Sequence, residues 1–524
     1  MKAAGLLLLL SSLSSLVRGE DYFARWYNDE SREIFGEEST STLEVKGQLP
    51  VYLKGDLIRL GPTLAHTEKK NATNFVDSFG RITKWTFSGS ENLVTYKSAF
   101  IRSSLYNASD DLTNIPSHIT IQPTEPKSRG FPDLNTMDNT DVYVHRFENS
   151  DEYLTFTDFH IGNRVHADSL HTLGNTQFND ELKGTYSGSH YGEYFDRSLG
   201  ENVIVNWIGE PKAGGIHLTV YKMGDNLVRK AVGTVDLKFT PYSIHALTVA
   251  GDYAFVVVNP VQINFLETGL NLCLSCSTSV HLDDGKSIIY IFPLDDSTDY
   301  QQKVKQIESP QAFFSFHHIN GVFVDDENLQ LDLCIYTTMD GVLGENVLGN
   351  FNDILDPDIR NNMASFCTNV WRLHIDIEQE KVLSIQDVPI TDPYSNTTYH
   401  PELMSINPNY VGKPYCYFYS LTTHMNGSEK YEDMGILKID TCSGKGVISS
   451  FYESGVYVGE PVFVPDPYGA DEDDGVLLVL SRDGEEDVSR LLILDAKDLT
   501  IVLAEVTAPL KHMFEFHGKF FPSN

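Results

Sequence analysis

An all-β fold is what this sequence predicts, and three observations carry that reading. Short runs rich in β-branched and aromatic residues recur along the chain, each bounded by Gly, Asp, Asn or Pro. The composition sets 29 Phe and 26 Tyr against 9 Met and 4 Trp, with 38 Gly and 22 Pro, which suits pleated strands joined by tight turns. Helical periodicity is scarce and confined to brief stretches. A continuous all-β chain of 524 residues must avoid long unpaired strand edges. Radial repetition of four-stranded blades does so at this size, and a pair of β-sandwiches is the competing architecture. No clean internal repeat sets a blade count.

In chain order, the first residues read MKAAGLLLLLSSLSSLVRGE. Lys2 gives a short positive start, an apolar run follows, and small residues precede Glu20. This is the pattern of a secretory signal peptide over residues 1–19, cleaved near Gly19, with residues 20–524 forming one domain. Residues 21–35 carry helical periodicity. Strands are expected at 153–159 (YLTFTDF), 202–209 (NVIVNWIG), 253–259 (YAFVVVN), 287–292 (SIIYIF) and 329–338 (LQLDLCIYTT). A second helix is expected over 345–361, and further strands at 475–481 (GVLLVLS) and 489–495 (SRLLILD). No Pro/Ser-rich linker or composition shift divides the chain.

Charge narrows the partners. The 39 basic and 73 acidic residues give a net charge of −34. Loss of residues 1–19 removes Lys2 and Arg18 and takes it to −36. Nucleic acid and anionic membranes are excluded as main partners. Sequons at Asn71, Asn107, Asn396 and Asn426 agree with a secreted, glycosylated protein. Six cysteines allow 15 pairings. Cys334 and Cys416 sit in apolar strand-like runs and read as buried free thiols. Cys273 and Cys276 form a lone CxxC without the second pair that zinc would need. The acidic runs Asp471–Asp474 and Asp483–Asp487 lack calcium-loop spacing and read as solvated turns. Nucleophile-elbow, phosphate-loop, dinucleotide and zinc-protease signatures are absent.

Four of the 17 histidines stand in or beside apolar strand-like runs: His166 (GNRVHADSL), His245 (PYSIHALTV), His317 (FFSFHHING) and His517 (MFEFHGKF). They are 79, 72 and 200 residues apart. Those intervals approximate one, one and three lengths of a blade of about 72 residues, the length that seven blades would have in the mature chain. Inner-strand ends of a propeller converge on its axis, so such histidines can meet at one metal. His318 points to the opposite face from His317. Four imidazoles suit iron, zinc, copper or nickel, and each needs its second ring nitrogen fixed, usually by a carboxylate. Asp158 (LTFTDFHIG), Glu402 (HPELMSIN) and Glu460 (VGEPVFVPDP) are carboxylates in apolar settings that suit that role.

Several strings together resemble the carotenoid cleavage oxygenases, most closely the animal branch of β-carotene oxygenases and retinoid isomerohydrolase. They are LKGDLIRLGPT (53–63), NFVDSFGRITKWTF (74–87), AFIRSS (99–104), SIHALTVAGDYAFVVVNPVQIN (243–264), FHHING followed by LDLCIY, ELMSIN followed by NYVGKPYCYFYSL, GEPVFVPDP followed by DEDDGVLLVL, LLILDAKDL, and FHGKF. The resemblance runs from about residue 45 to the C-terminus. It implies a seven-bladed β-propeller with a loop and short-helix dome over an axial metal site. It places one Fe(2+) on His166, His245, His317 and His517, and outer-shell carboxylates at Glu402, Glu460 and, as a departure from glutamate, Asp158. The interval from Asp158 to His166 is shorter than in the animal members.

The implied activity is oxidative cleavage of a conjugated double bond of a carotenoid or apocarotenoid, with O2 as co-substrate and carbonyl products. No catalytic residue is implied beyond the metal centre. Residues 263–277 (INFLETGLNLCLSCS) correspond to the apolar stretch by which relatives draw substrate from lipid or micelles. A retinoid isomerohydrolase using the same iron without O2, and a secreted carotenoid- or lipid-binding propeller without turnover, are the alternatives. The particular polyene, the bond cut and the oligomeric state are not readable from the sequence.

Overall fold

The computed structural model describes residues 23, 26, 40–128, 133–148, 150–282, 285–295, 304–339, 342, 350–360, 368–425 and 433–523. The expected signal peptide and most of the 21–35 helix lie outside them; Phe23 and Trp26 are buried against Tyr457 and Phe514.

Seven antiparallel sheets of four or five strands form a seven-bladed propeller. Counting from the N-terminus, the first blade contains Ser41–Leu43, Lys54–Pro62, Gly80–Ser88 and Leu93–Phe100, and His517–Pro522 is its inner strand. The second runs from Tyr143–His145 to Thr172–Asn175, and the third from Tyr186–Ser187 to Arg229–Leu237. The fourth runs from Leu247–Ala250 to Lys305–Glu308, and the fifth from His318–Phe323 to Lys381–Asp387. The sixth runs from Pro401–Ser405 to Gly446–Phe451. The seventh runs from Val456–Pro465 to Val502–Thr507 and takes Val45–Gly47 as its outermost strand.

The ring closes twice. Leu60 pairs with His517 and Gly55 with Pro522, so the C-terminal strand completes the first blade. Val45 pairs with Val506, so an N-terminal strand completes the seventh. Radial closure leaves each blade only a short outer edge. Gly55 allows the first of these junctions, because a Cβ there would meet the Phe521 carbonyl at 2.3 Å and its φ is +144°.

All seven strands named from the sequence are present. They are legible as short continuous apolar runs because each blade buries both faces against its neighbours. One such interface joins Phe255, Ile289, Ile291, Leu331, Leu333 and Leu373 of the fourth and fifth blades. The 345–361 helix is corrected. The described part forms two short helical turns, Phe351–Ile354 and Pro357–Arg360, because Pro357 cannot continue the preceding helical hydrogen bonds.

The Cys416 expectation is also corrected. Cys416 is bridged to Cys442, and Cys273 to Cys276, while Cys334 is buried. Cys416 directly precedes Tyr417–Thr422 and Cys442 follows Gly435–Asp440 by one residue. Those strands pair with Tyr417 opposite Asp440, so register alone brings the two cysteines together. The DEDD run is more than a solvated turn. Asp471 and Asp474 bind Lys497, Asp473 binds Lys438, and Glu472 accepts the N–H groups of Cys416 and Tyr417.

Candidate metal centre

Three of the four histidines expected to converge do so, and the fourth member is His190. The ligating atoms of His190, His245, His317 and His517 all lie within 4.8 Å of one another. Each is supplied by an inner strand or its lead-in. His190 is two residues ahead of Gly192–Asp196, His245 two ahead of Leu247–Ala250, and His317 one ahead of His318–Phe323; His517 opens His517–Pro522. Blades one, three, four and five thus each aim one imidazole at the axis.

His166 is not part of this group, which corrects its assignment as a ligand. It ends Asn163–His166, the third strand of the second blade counted outward, so it is two strands removed from the axis. Its Nδ1 is turned into its own turn, accepting the backbone N–H of Asp168 at 3.3 Å and of Ser169 at 3.2 Å. His318, as expected, faces away and bonds Thr248 Oγ1 at 2.7 Å.

The three carboxylates each hold one ring. Asp158 Oδ1 accepts His245 Nδ1–H at 2.9 Å, Glu402 Oε2 accepts His317 Nδ1–H at 2.7 Å, and Glu460 Oε1 accepts His517 Nδ1–H at 2.8 Å. A carboxylate only accepts, so each bond fixes the proton on Nδ1 and leaves Nε2 with its lone pair toward the axis. Asp158 is one methylene shorter than glutamate yet reaches its imidazole directly. Ser189 and Ser243 hold it there by donating at 2.6 and 3.1 Å. Its side chain is 38% accessible because it borders the internal cavity.

Behind these carboxylates lies a further layer. Tyr336 donates to Glu402 Oε1 at 2.7 Å, and the Leu403 N–H to Oε2. Burial opposes the charged form of Glu402, but His317 and these donors outweigh it and bring its pKa down to about 2. Arg59, fully buried, donates to the Glu460 carbonyl at 2.9 Å and pairs with Glu515 at 3.4 Å; Glu515 in turn holds His512 at 2.8 Å. Burial pushes Glu460 up to about 7 despite Arg59 and the Gly518 N–H.

Burial, reinforced by the neighbouring rings, holds His190 and His517 well below the usual histidine range, so both are neutral. Their Nε2 atoms stand 3.1 Å apart. His317 Nε2 is buried and has no hydrogen-bond partner among the described residues. Buried polar atoms left in that state are rare. Here the ring nitrogens of four imidazoles converge, which is the donor set of a borderline transition-metal ion. The residues therefore fit a metal.

Above the cluster is a cavity of about 310 Å³ with mainly apolar walls, among them Phe75, Ile119, Ile121, Tyr242, Phe316 and Phe514; His245, His317 and His517 line its floor. Tyr143, two residues into the chain from Asp141, packs its ring 4.5 Å from His190. The sequence reading missed His190 and this neighbour. The available signal was the alternation in YGEYF directly after SH, which marks an inner strand.

Fold and site together define a seven-bladed propeller with an axial, carboxylate-braced four-histidine cluster under an apolar cavity. Residues 33–522 match the family described as retinal pigment epithelial membrane protein, and the chain belongs to that family. It is 27% identical over 498 residues to the apocarotenoid-15,15'-oxygenase of Synechocystis, covering 91% of this chain and 92% of that protein. It is 23% identical over 538 residues to the β,β-carotene 15,15'-dioxygenase of Rattus norvegicus, covering 93% and 91%. It is also 23% identical over 517 residues to the carotenoid isomerooxygenase of Galleria mellonella, covering 93% and 95%. Solved structures with the same fold include a Synechocystis apocarotenoid oxygenase variant (24% identity, TM-score 0.79, covering 96% of this chain and 99% of that one). A cobalt-substituted form matches at 22% identity with TM-score 0.76 and the same coverage.

Proposed function

We propose that this chain is an iron(II)-dependent oxygenase that cleaves a conjugated double bond of a carotenoid or apocarotenoid to carbonyl products. The observation that carries the reading is the convergence of four imidazoles, three with their Nδ1 protons held by carboxylates, at the floor of an apolar cavity. The names of the relatives supply the substrate class. His190, His245, His317 and His517 would hold the iron, which when bound supplies the redox chemistry toward O2.

The protein's own residues supply the rest. Asp158, Glu402 and Glu460 keep the rings oriented and their Nε2 atoms unprotonated. The apolar walls exclude water and set which stretch of the polyene lies over the metal. Phe316 packs its ring 5.5 Å from His245, and the aromatic faces beside the cluster stabilise positive charge developing on a polyene.

Substrate delivery is assigned to residues 263–277. The helix Phe265–Asn271 sits on the ribbon formed by Val261–Ile263 and Thr278–Val280, and the Cys273–Cys276 bridge follows it. Leu266 and Leu270 are 71% and 61% exposed, while Leu274 reaches the cavity wall. An exposed apolar ridge continuous with the cavity lining suits contact with neutral lipid, micelles or a carrier. An extracellular location is supported by the leader-like N-terminus, by the two disulfides, and by Asn107 and Asn396, which are exposed. Asn71 is half-buried with its side chain engaged by Thr67, and Asn426 lies outside the described residues.

The test is incubation of iron-loaded protein with carotenoids and apocarotenoids under isotopically labelled dioxygen. Aldehyde or ketone products carrying the label are expected. Isomerised retinoid alcohol without oxygen uptake would replace this reading with isomerohydrolysis. Polyene bound unchanged by protein that takes up no iron would overturn both.

A further inference from the structure

Among the described residues, one carboxyl group in the cavity wall has an oxygen that nothing in the chain satisfies. Asp141 stands two residues ahead of Tyr143–His145, the inner strand of the second blade. That is the same offset at which the third and fourth blades carry His190 and His245. Asp141 is 3% exposed, it lines the cavity, and its Oδ2 has no hydrogen-bond partner. Room for it is built in. A Cβ on Gly80 would lie 2.8 Å from the Asp141 Cβ, so the glycine lets the side chain lie against the first blade. Burial, with the charge of Asp77 added, holds its pKa well above the usual carboxylate range.

Asp77, the other carboxyl of the wall outside the histidine brace, is differently placed. Its two oxygens accept the backbone N–H groups of Ile121 at 2.7 Å and Gln122 at 3.2 Å, which makes it a strut between two connecting segments. Asp141 has no such task. A wall needed only to enclose hydrocarbon would be completed better by an apolar side chain, because an unsatisfied buried polar group is costly. We propose that Asp141 is a specificity-determining residue whose free carboxyl oxygen hydrogen-bonds a hydroxyl group on the substrate, so that the cavity selects a hydroxyl-bearing polyene over the bare hydrocarbon of the same length. A hydroxyl both donates and accepts, so it satisfies a carboxyl in either protonation state. The proposal rests on the reading of this cavity as a polyene site.

The test is equilibrium binding to metal-free protein, read by quenching of tryptophan fluorescence, with a hydroxylated polyene and its deoxy counterpart. The wild-type chain is expected to bind the hydroxylated polyene at least about tenfold more tightly. Asp141→Leu should abolish the preference by weakening the hydroxylated ligand and sparing the deoxy one. Asp141→Asn, which keeps a donor and an acceptor, should retain most of it. Equal binding of the two polyenes by the wild type, or a preference that survives in Asp141→Leu, overturns the proposal while leaving the polyene site intact. Failure of both polyenes to bind overturns the polyene site and the proposal with it. The wild-type comparison decides by itself, so a Leu variant that does not fold leaves the test standing.

Discussion

Replacing His190 by alanine should cost this protein its metal, whereas replacing His166 should not. The two histidines are separated by 24 positions in the sequence but by two strands in distance from the axis. His190 packs its ring 4.3 Å from that of His517, 4.8 Å from His245 and 5.2 Å from His317, and it touches all three of the carboxylate-braced rings. Removing an outer-shell partner of a metal ligand lowers affinity by about 10–100-fold. Removing a ligand itself should do at least as much, so a loss of about 100-fold, or about 2.7 kcal/mol, is the expected size. In His166→Ala the Asp168 and Ser169 N–H groups lose an acceptor at a partly exposed turn, worth about 1 kcal/mol of stability. Its metal content should match the wild type. The assay is atomic emission of metal per chain after loading and graded chelator competition, with thermal unfolding as the control for folding. Retained metal in His190→Ala together with lost metal in His166→Ala would refute the ligand set argued from the geometry.

Two further outcomes follow from features away from the metal. Cys416→Ser opens a bridge across 26 residues, and the chain-entropy argument gives a loss of about 3.5 kcal/mol in unfolding free energy measured by denaturant titration; an unchanged midpoint would refute a structural role for the bridge. His118 is held down to about 4 by burial, so it stays neutral in the fold while the unfolded chain takes up a proton below its ordinary value near 6.5. The folded state is therefore disfavoured as pH falls, and the stability of the wild type relative to His118→Gln should decrease by about 1.4 kcal/mol per pH unit from about 6.5 to about 4. The comparison must be relative, because Asp77, raised to about 7 by burial, acts with the opposite sign over the same window. A difference that stays flat with pH would refute the assignment.

The sequence carried the architecture because a propeller repeats one local instruction. Strands such as Tyr253–Val258 and Val488–Asp495 are bounded by turn residues and buried on both faces, so composition and length alone mark them. The centre was partly legible for the same reason. His245, His317 and His517 each lead into or open a patterned strand, and Glu402 and Glu460 are conspicuous as carboxylates in apolar runs. His190 was hidden because its inner strand, GEYFD, has no run of apolar residues and only its last position is buried, and His190 itself follows a Gly/Ser-rich stretch, SGS. It also lies 55 residues before His245, short of a blade length, so regular spacing favoured His166 instead. Spacing along a chain does not tell which of four strands in a blade a residue occupies. Asp158 could be suspected, but its direct reach to His245 depends on Ser189 and Ser243, which come from two other places in the sequence. The cysteine error has a similar origin. Cys416 is only half-buried despite its apolar neighbours, and its partner was set by strand register.

His517 belongs both to the metal centre and to the strand that seals the ring. During synthesis the first three histidines of the cluster are made long before the fourth, and 200 residues separate His317 from His517. Until that last strand docks beside Lys54–Pro62 the floor of the cavity lacks one wall and the cluster lacks one imidazole. Docking of the last strand thus closes the ring and completes the cluster together, and an ion held by all four imidazoles would act as a rivet across the closed ring.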